Sequence, residues 1–449
     1  MHPLRLGLFY HKFLEGFLFS FIVNPLVMYP FFGRYLNIPG NTYSAITSIL
    51  CFVWSIKIFW AMISDNCPIF GHRRIPYMVL GWSIAAIGFI ISSILPFPLP
   101  YFGVTADCKQ NTSDIVNPDA PDEALPYCVI IIFIMIFYAM SSGGADGLSV
   151  VYARREPQSN RGKTVTYCSN FTLKEMLKQF WGTMATESFL RVGFFIFFNT
   201  IASYAKSSAS IKINAIWIKL SPIVSGVVCL LCIFIAIFSM ILYQRFFNAL
   251  SWRYALTLCF FATYPIGFFS DVLAIFNIIR NQYINFFDEV IISVPRAIHG
   301  FISLQMATEV SEEGSEGFAF VLVMMLGNIA NPISTMLSNI LSSPFDVARD
   351  YRYFRDTIED RWKVFYSVSL CFCCNCFSIV LIYALLPSQK SDIQTIKMNQ
   401  SKYPRLRFLF VCLIFGGMIL SNISNILAII PDFSCMLIAG GGGCLQISE

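Results

Sequence analysis

Eleven stretches of this chain stay apolar for long enough to cross a bilayer: 9–32, 44–63, 77–96, 128–148, 188–204, 215–243, 254–276, 286–307, 317–341, 364–386 and 407–430. A hydrocarbon core of ~30 Å takes about 20 helical residues. The runs are continuous rather than alternating, which sets aside a β-barrel. Of the 449 residues, 56% are hydrophobic and 13% are charged. Soluble domains carry about 25% charge, so this chain lacks the surface that keeps a protein in water. A soluble enzyme, a secreted disulfide scaffold, a disordered chain and a nucleic-acid-binding domain are thereby excluded. The 45 Phe residues suit a lipid-facing surface. The first apolar run is too long for a cleavable signal, and no small-residue cleavage site follows it.

The net charge of +5 is small, so its placement matters more than its size. Basic residues gather in four places: Arg5, His11 and Lys12; His72, Arg73 and Arg74; Arg154, Arg155, Arg161 and Lys163; and Lys390, Lys397, Lys402, Arg405 and Arg407. All four fall on one side if every span crosses once, and that side is predicted to be the cytosol. The opposite loop, 97–127, is acidic, with Asp107, Asp114, Asp119, Asp122 and Glu123. It holds Asn111-Thr112-Ser113, a glycosylation acceptor usable only outside the cytosol. The segment 343–363 is mixed in sign and does not bear on orientation.

The chain divides into an N-terminal bundle of four helices (1–151), a cytosolic loop with an interfacial helix (152–187), a C-terminal bundle of six helices (188–386), a cytosolic loop (387–406), and an extra helix with an outer tail (407–449). Within the second of these, 164–186 is the weakest hydrophobic segment. Lys174, Glu175, Lys178 and Gln179 make it too polar for a lipid-facing span. Leu173, Met176, Leu177, Phe180, Trp181 and Met184 recur at helical spacing, the pattern of an amphipathic helix on the inner leaflet.

Charges within spans need an offset of ~2.5–3.5 kcal/mol on insertion scales. Lys57 lies about two turns inside its helix, placed either to snorkel or to meet an anionic substrate. On the 286–307 helix, Glu289, Ser293, Arg296, Gly300 and Ser303 recur at spacings of three and four, with His299 beside them. That makes one polar stripe on an apolar helix, read either as a buried Glu–Arg pair or as a cavity lining. Asp146, Arg191 and Asp271 are further charges, the last two near helix ends and suited to anchoring. Lys12 and Glu15 are close enough in sequence to pair locally. Asn24-Pro25, Asn328 and Asn331-Pro332 are polar breaks.

Cys371, Cys373, Cys374 and Cys376 fall inside an apolar span and read as packing residues rather than metal ligands. Cys108 with Cys128, and Cys435 with Cys444, are candidate disulfides of the outer side. Gly440–Gly443 has no following Lys-Ser/Thr and is not a phosphate loop. No zinc spacing, nucleotide motif or nucleophile–base arrangement is present, so the expectation is a protein without cofactor or metal that is not an enzyme.

The most specific segment reads Trp54-Ser55-Ile56-Lys57, then Ile63-Ser64-Asp65-Asn66-Cys67-Pro68-Ile69-Phe70-Gly71-His72-Arg73-Arg74-Ile75-Pro76-Tyr77. Gly71 permits a tight turn, and Asp65 with Arg73 or Arg74 forms a candidate latch between two helices at the cytosolic face. This segment resembles the signature of the folate–biopterin transporter family. Ala145-Asp146-Gly147, Phe197-Phe198-Asn199-Thr200, Ile213-Asn214-Ala215, Ser221 through Gly226, Glu309 through Gly317, Asn328 through Pro332, and the tail Ile438 through Cys444 are similar to other parts of that family, the tail most to protozoan members. Two departures stand out. Only 164–186 stands where the family has two more helices, and Val150 occupies a position where the family tends to have an acid.

The resemblance implies an all-α polytopic membrane bundle of the major-facilitator kind, with about eleven spans and two helices of the usual N-terminal half missing. It implies a secondary transporter of folate, biopterin or a related pterin, working by alternating access in a bilayer, with protons as a candidate coupling ion through carboxylates and His299. A pterin ring presents two parallel donors that Glu289 can accept, and Arg296 matches a glutamate tail or ring oxygen. Lys57, Asp146, His299 and Asn328 complete the expected substrate site. The plasma membrane is the expected location, an organelle membrane the alternative. A second reading keeps the scaffold without transport, for assembly or regulation. A third keeps transport but with another solute, such as S-adenosylmethionine.

Overall fold

The computed structural model describes residues 7, 10–11, 14–15, 18–72, 74–104, 110–154, 181–182, 184–247, 250–310, 316–349, 351–387, 392, 395–396 and 401–444, some within helices by their backbone alone. Among these, eleven long helical segments follow one another. The first, α1 (Leu18–Tyr35), has π-helical winding. The second is α2 (Gly40–Val53), a 3₁₀ turn at Trp54–Ile56, and α3 (Lys57–Asn66). Then come α4 (Ile75–Ile94), α5 (Leu125–Arg154), α6 (Glu187–Ser203), α7 (Pro222–Leu242), α8 (Trp252–Ile275), α9 (Gln282–Val310), α10 (Glu316–Ser342), α11 (Ile358–Leu385) and α12 (Pro404–Ile429). Among the described residues, six segments are long and apolar enough to cross a membrane: Ile75–Ile94, Asp122–Ala145, Pro222–Phe247, Trp252–Ile275, Ile358–Leu385 and Pro404–Ile429. On α7, Ile223, Phe234, Ile237, Phe238 and Ile241 are all exposed, an arrangement that only lipid can cover.

Two cores divide most of the helices between them. One packs Met28, Phe32, Leu50, Met135 and Tyr138 of α1, α2 and α5. The other packs Phe195, Leu256, Ile302, Leu326 and Ile382 of α6 and α8–α11. The last helix joins the second core through Phe410, whose ring stacks on Phe194 at 4.2 Å. It also lies against α2 of the first group and α10 of the second. A third cluster sits where the groups meet, with Tyr29 of α1 among Ala209, Ile213, Trp217 and Tyr353.

At that same end of the molecule a small antiparallel hairpin interrupts the acidic loop. Strand β1 (Phe102–Val104) pairs with β2 (Gln110–Ile115), Phe102 opposite Ile115 and Gly103 opposite Asn111, with an irregularity between. Gln110-Asn111-Thr112-Ser113-Asp114-Ile115 has none of the apolar alternation that marks a strand, so this element was not expected. The backbone of Tyr101 donates to Tyr35 at 3.0 Å, which fixes the hairpin beside the end of α1.

Of the candidate disulfides, Cys435–Cys444 is formed, across a Cα–Cα distance of 5.0 Å. Cys128 is instead a free thiol, buried in the first core. Cys108 lies outside the described residues, as does almost all of the predicted 164–186 helix.

Candidate functional site: two polar clusters and a closed seam

The 3₁₀ turn at Trp54–Ile56 breaks the second span in mid-course and packs against α10. Such interruptions place a side chain off the regular helical track. Lys57, the first residue after it, points into the N-terminal group. Its Nζ lies 3.6 Å from Glu15 Oε1 and 4.5 Å from the centre of the Trp54 ring. Glu15 thus has a tertiary partner in Lys57; Lys12, its expected local partner, lies outside the described residues.

Around this pair the hydrogen bonds fix a tautomer. Trp82 Nε1 donates to His11 Nε2 at 2.8 Å, and Ser141 Oγ lies 3.0 Å from the same nitrogen. An indole N–H only donates, so Nε2 accepts and the neutral ring's proton sits on Nδ1. Nδ1 faces Glu15 Oε2 at 3.9 Å. Ser142 Oγ donates to Glu15 Oε1, and Tyr138 OH donates to the Glu15 carbonyl. Trp54 and Trp82 each meet Tyr138 edge-on at 5.5 Å. Sequence reasoning named Lys57, His11 and Glu15 separately but did not bring them together, because Lys57 meets the other two from another helix. Asp146 is one turn beyond Ser142 on α5, but its side chain lies outside the described residues.

The second cluster belongs to the C-terminal group. Arg296 Nη1 and Glu289 Oε2 are 3.5 Å apart, two turns of α9 separating them. Both are open: the Arg296 side chain is 61% exposed and that of Glu289 37%. The reading of a buried structural pair is thus set aside for this pair. Asp288 lies within electrostatic reach of Lys206 and Arg296, and Asp271 of Lys206, Asp288 and Glu289. Tyr204 faces both Arg296 and, across the divide between the two groups, Cys51 of α2. His299 is bound to Asn199, Nε2 to Nδ2 at 2.9 Å. Ser293 is buried and donates to the Val290 carbonyl, so the polar stripe is only partly open. Asn328 is half-buried on α10, with no hydrogen bond from its side chain to another described residue.

The predicted latch is described in part. Ile69 and His72 exchange backbone hydrogen bonds of 3.0 Å around Phe70 and Gly71, whose φ angles are 50° and 74°. That is the two-residue turn for which glycine is suited. Tyr77 OH donates to the Cys67 carbonyl at 2.7 Å and joins the two helices. The Asp65 side chain and Arg73 lie outside the described residues, and Arg74 is half-buried.

At the hairpin end the two groups are bound tightly together. Arg34 donates to the Ala215 carbonyl at 2.8 Å and Tyr29 to the Leu220 carbonyl at 2.9 Å. The fully buried Lys212 donates to Asn37 Oδ1 at 2.7 Å. Gly40 comes so close to the other group that a Cβ would meet the Ser208 carbonyl oxygen at 1.9 Å. Ser44 Oγ donates to Asn339 Oδ1 at 2.9 Å, and Asn41 Nδ2 to the carbonyls of Ser434 and Ala439 in the tail. The chain is thus a bundle of two helical groups, sealed at one end, with a polar cluster in each.

This fold has a counterpart among solved structures. A crystal structure of a bacterial homologue of the human lysosomal transporter Spinster, inward-facing and unoccupied, superposes with a TM-score of 0.54, covering 90% of this chain and 99% of that one at 9% identity. The sequence model of the BT1 family matches residues 22–101, a segment that contains the whole Trp54–Tyr77 signature. Folate transporter 1 of Plasmodium falciparum (isolate 3D7) is 23% identical over 408 residues, which are 80% of this chain and 76% of that protein. The resemblance to the folate–biopterin transporters is borne out.

Proposed function

We propose that this chain is a secondary transporter of folate, biopterin or a related pterin, working by alternating access. The observation that carries the reading is the open Glu289–Arg296 pair. Both stand on α9 with Asp288 beside them, and neither is buried by its partner. Charges in such helices face protein or a water-filled path. The carboxylate suits the paired donors of a pterin ring, and the guanidinium suits a carboxylate or ring oxygen. Lys57 supplies a cation from the opposite group. Asp146, His299 and Asn328 remain assigned to the substrate path. A seam closed at one end with polar groups on both sides fits a site at the junction of two rocking halves. Protons are the proposed coupling ion, on the strength of the clustered carboxylates Asp271, Asp288 and Glu289. The plasma membrane is the proposed location.

A ligand that binds only the folded state raises its melting temperature. Folate and biopterin are expected to raise that of the purified chain in detergent, and S-adenosylmethionine is not. A shift with S-adenosylmethionine alone would replace the substrate class.

A further inference from the structure

The Lys57–Glu15 pair raises a question of its own. A lysine meant for an anionic solute already has an anion beside it. The pair is loose: 3.6 Å exceeds the ~2.7–2.9 Å of a charge-assisted hydrogen bond. It is also unequal. The Lys57 side chain is 19% exposed and that of Glu15 10%, so a solute reaches the lysine first. Glu15 would not be stranded by losing the lysine. Ser142 donates to the same carboxylate oxygen, and the protonated Nδ1 of His11 faces the other. Lys57, for its part, stays seated over the Trp54 face, an interaction that holds a cation whichever anion neutralises it. Among the described residues, the groups around Glu15 include His11 on its own segment, Lys57 from α3, Trp82 from α4, and Tyr138, Ser141 and Ser142 from α5.

We propose that Glu15 is an internal competitor for Lys57: it neutralises the lysine in the empty protein and gives way to the acidic group of an arriving solute. Glu15 thereby sets how strongly the transporter prefers acidic over neutral pterins. The lysine keeps an anion beside it throughout, whereas a free lysine there would be costly, and Ser142 and the N–H of His11 hold the displaced carboxylate. A neutral pterin has nothing to exchange and leaves the pair intact. The proposal rests on the pterin reading above for its choice of ligands, but not for its geometry.

The test is binding of labelled folate and labelled biopterin to the purified full-length chain. Removing one competing ion pair in Glu15→Gln should tighten folate about three- to fivefold and leave biopterin unchanged. Weaker folate binding in that variant, or equal tightening of both ligands, overturns the proposal. If Glu15→Gln does not fold, Glu15→Asp withdraws the carboxylate by one methylene and should shift folate in the same direction by less. A second measurement needs no pterin: peptide-resolved modification of Lys57 by a small water-soluble amine reagent. Lys57 should react faster in either Glu15 variant than in the parent, and an unchanged rate contradicts the proposal. Should the parent bind neither ligand, the pterin reading fails, and the lysine modification alone decides the role of Glu15.

Discussion

Asn425 of α12 donates from Nδ2 to Ser48 Oγ of α2 at 3.2 Å, and the same nitrogen lies 3.4 Å from the Pro332 carbonyl of α10. One buried amide thus joins the last helix to both helical groups. Thr42 reinforces the contact by donating to the Ala428 carbonyl at 2.8 Å. Interhelical hydrogen bonds in membranes contribute about 0.6 kcal/mol on average and up to ~1.7. Asn425→Ala should therefore lower the melting temperature measurably in detergent. Asn422→Ala is the control, since Asn422 bonds only to the Met418 carbonyl of its own helix. Equal effects of the two substitutions would remove Asn425 from this role.

Asp356, outside the spans, carries a pH dependence. Asp356 receives Arg280 at 2.7 and 2.9 Å and Arg361 at 2.9 and 3.1 Å. Partial burial alone would push its carboxyl up, but the hydrogen bonds and charges of the two guanidiniums outweigh that and hold it below the usual carboxylate range. A depressed folded-state value means stability that is present above the unfolded value of about 4 and lost as pH falls through the folded one. The parent should lose thermal stability below about pH 4 more steeply than Asp356→Asn, which should be less stable at neutral pH and flatter in its acid profile. Parallel acid profiles would contradict the assignment.

Orientation is checked at Asn111. The hairpin that holds it and the Cys435–Cys444 disulfide both lie at the sealed end: Tyr101 bonds to the end of α1, and Asn41 at the start of α2 bonds to the tail. Disulfides persist on the oxidising side of a membrane, which agrees with the acidic loop and the basic loops opposite. Expression in a glycosylating cell should give a glycosidase-sensitive mass shift that Asn111→Gln abolishes. A shift mapping instead to Asn399, whose acceptor sequence Asn399-Gln400-Ser401 lies in the loop predicted to be cytosolic, would invert the molecule.

The open part of the α9 stripe is testable by chemistry. A Cβ added at Gly300 meets nothing within 4 Å, whereas Ser293 is buried. Gly300→Cys should react with a small water-soluble thiol reagent, and Ser293→Cys should not. Folate in excess should slow the reaction at position 300. Labelling of Ser293→Cys in preference would turn the helix the other way.

The spans were legible because lipid demands apolar length, a property written residue by residue. The stripe was legible in part. At 3.6 residues per turn Ser293 lies roughly 60° round α9 from Arg296, enough for one edge of the stripe to be packed and the other open. Helical periodicity finds the stripe but not its neighbours. The tertiary partner of Glu15 was missed for a related reason: Lys12 offered a partner nearby in the chain, while the observed partner, Lys57, is supplied by the packing of another helix. The 343–363 segment looked uninformative because its charges are mixed in sign, yet Asp356 within it receives Arg361 and, from outside the segment, Arg280. The family signature was legible as a string, and its physical content, the 3₁₀ turn before Lys57 and the paired positive φ values at Phe70 and Gly71, was visible only in three dimensions.

The central claim is that this chain moves pterins across a membrane. The most direct measurement is uptake of labelled folate and biopterin into sealed vesicles reconstituted with the purified protein. The account predicts saturable accumulation of at least one of the two above protein-free vesicles, strongly reduced in Arg296→Ala vesicles that hold the same amount of folded protein. Uptake of both pterins at the protein-free level, from vesicles whose protein is folded and correctly inserted, would contradict it.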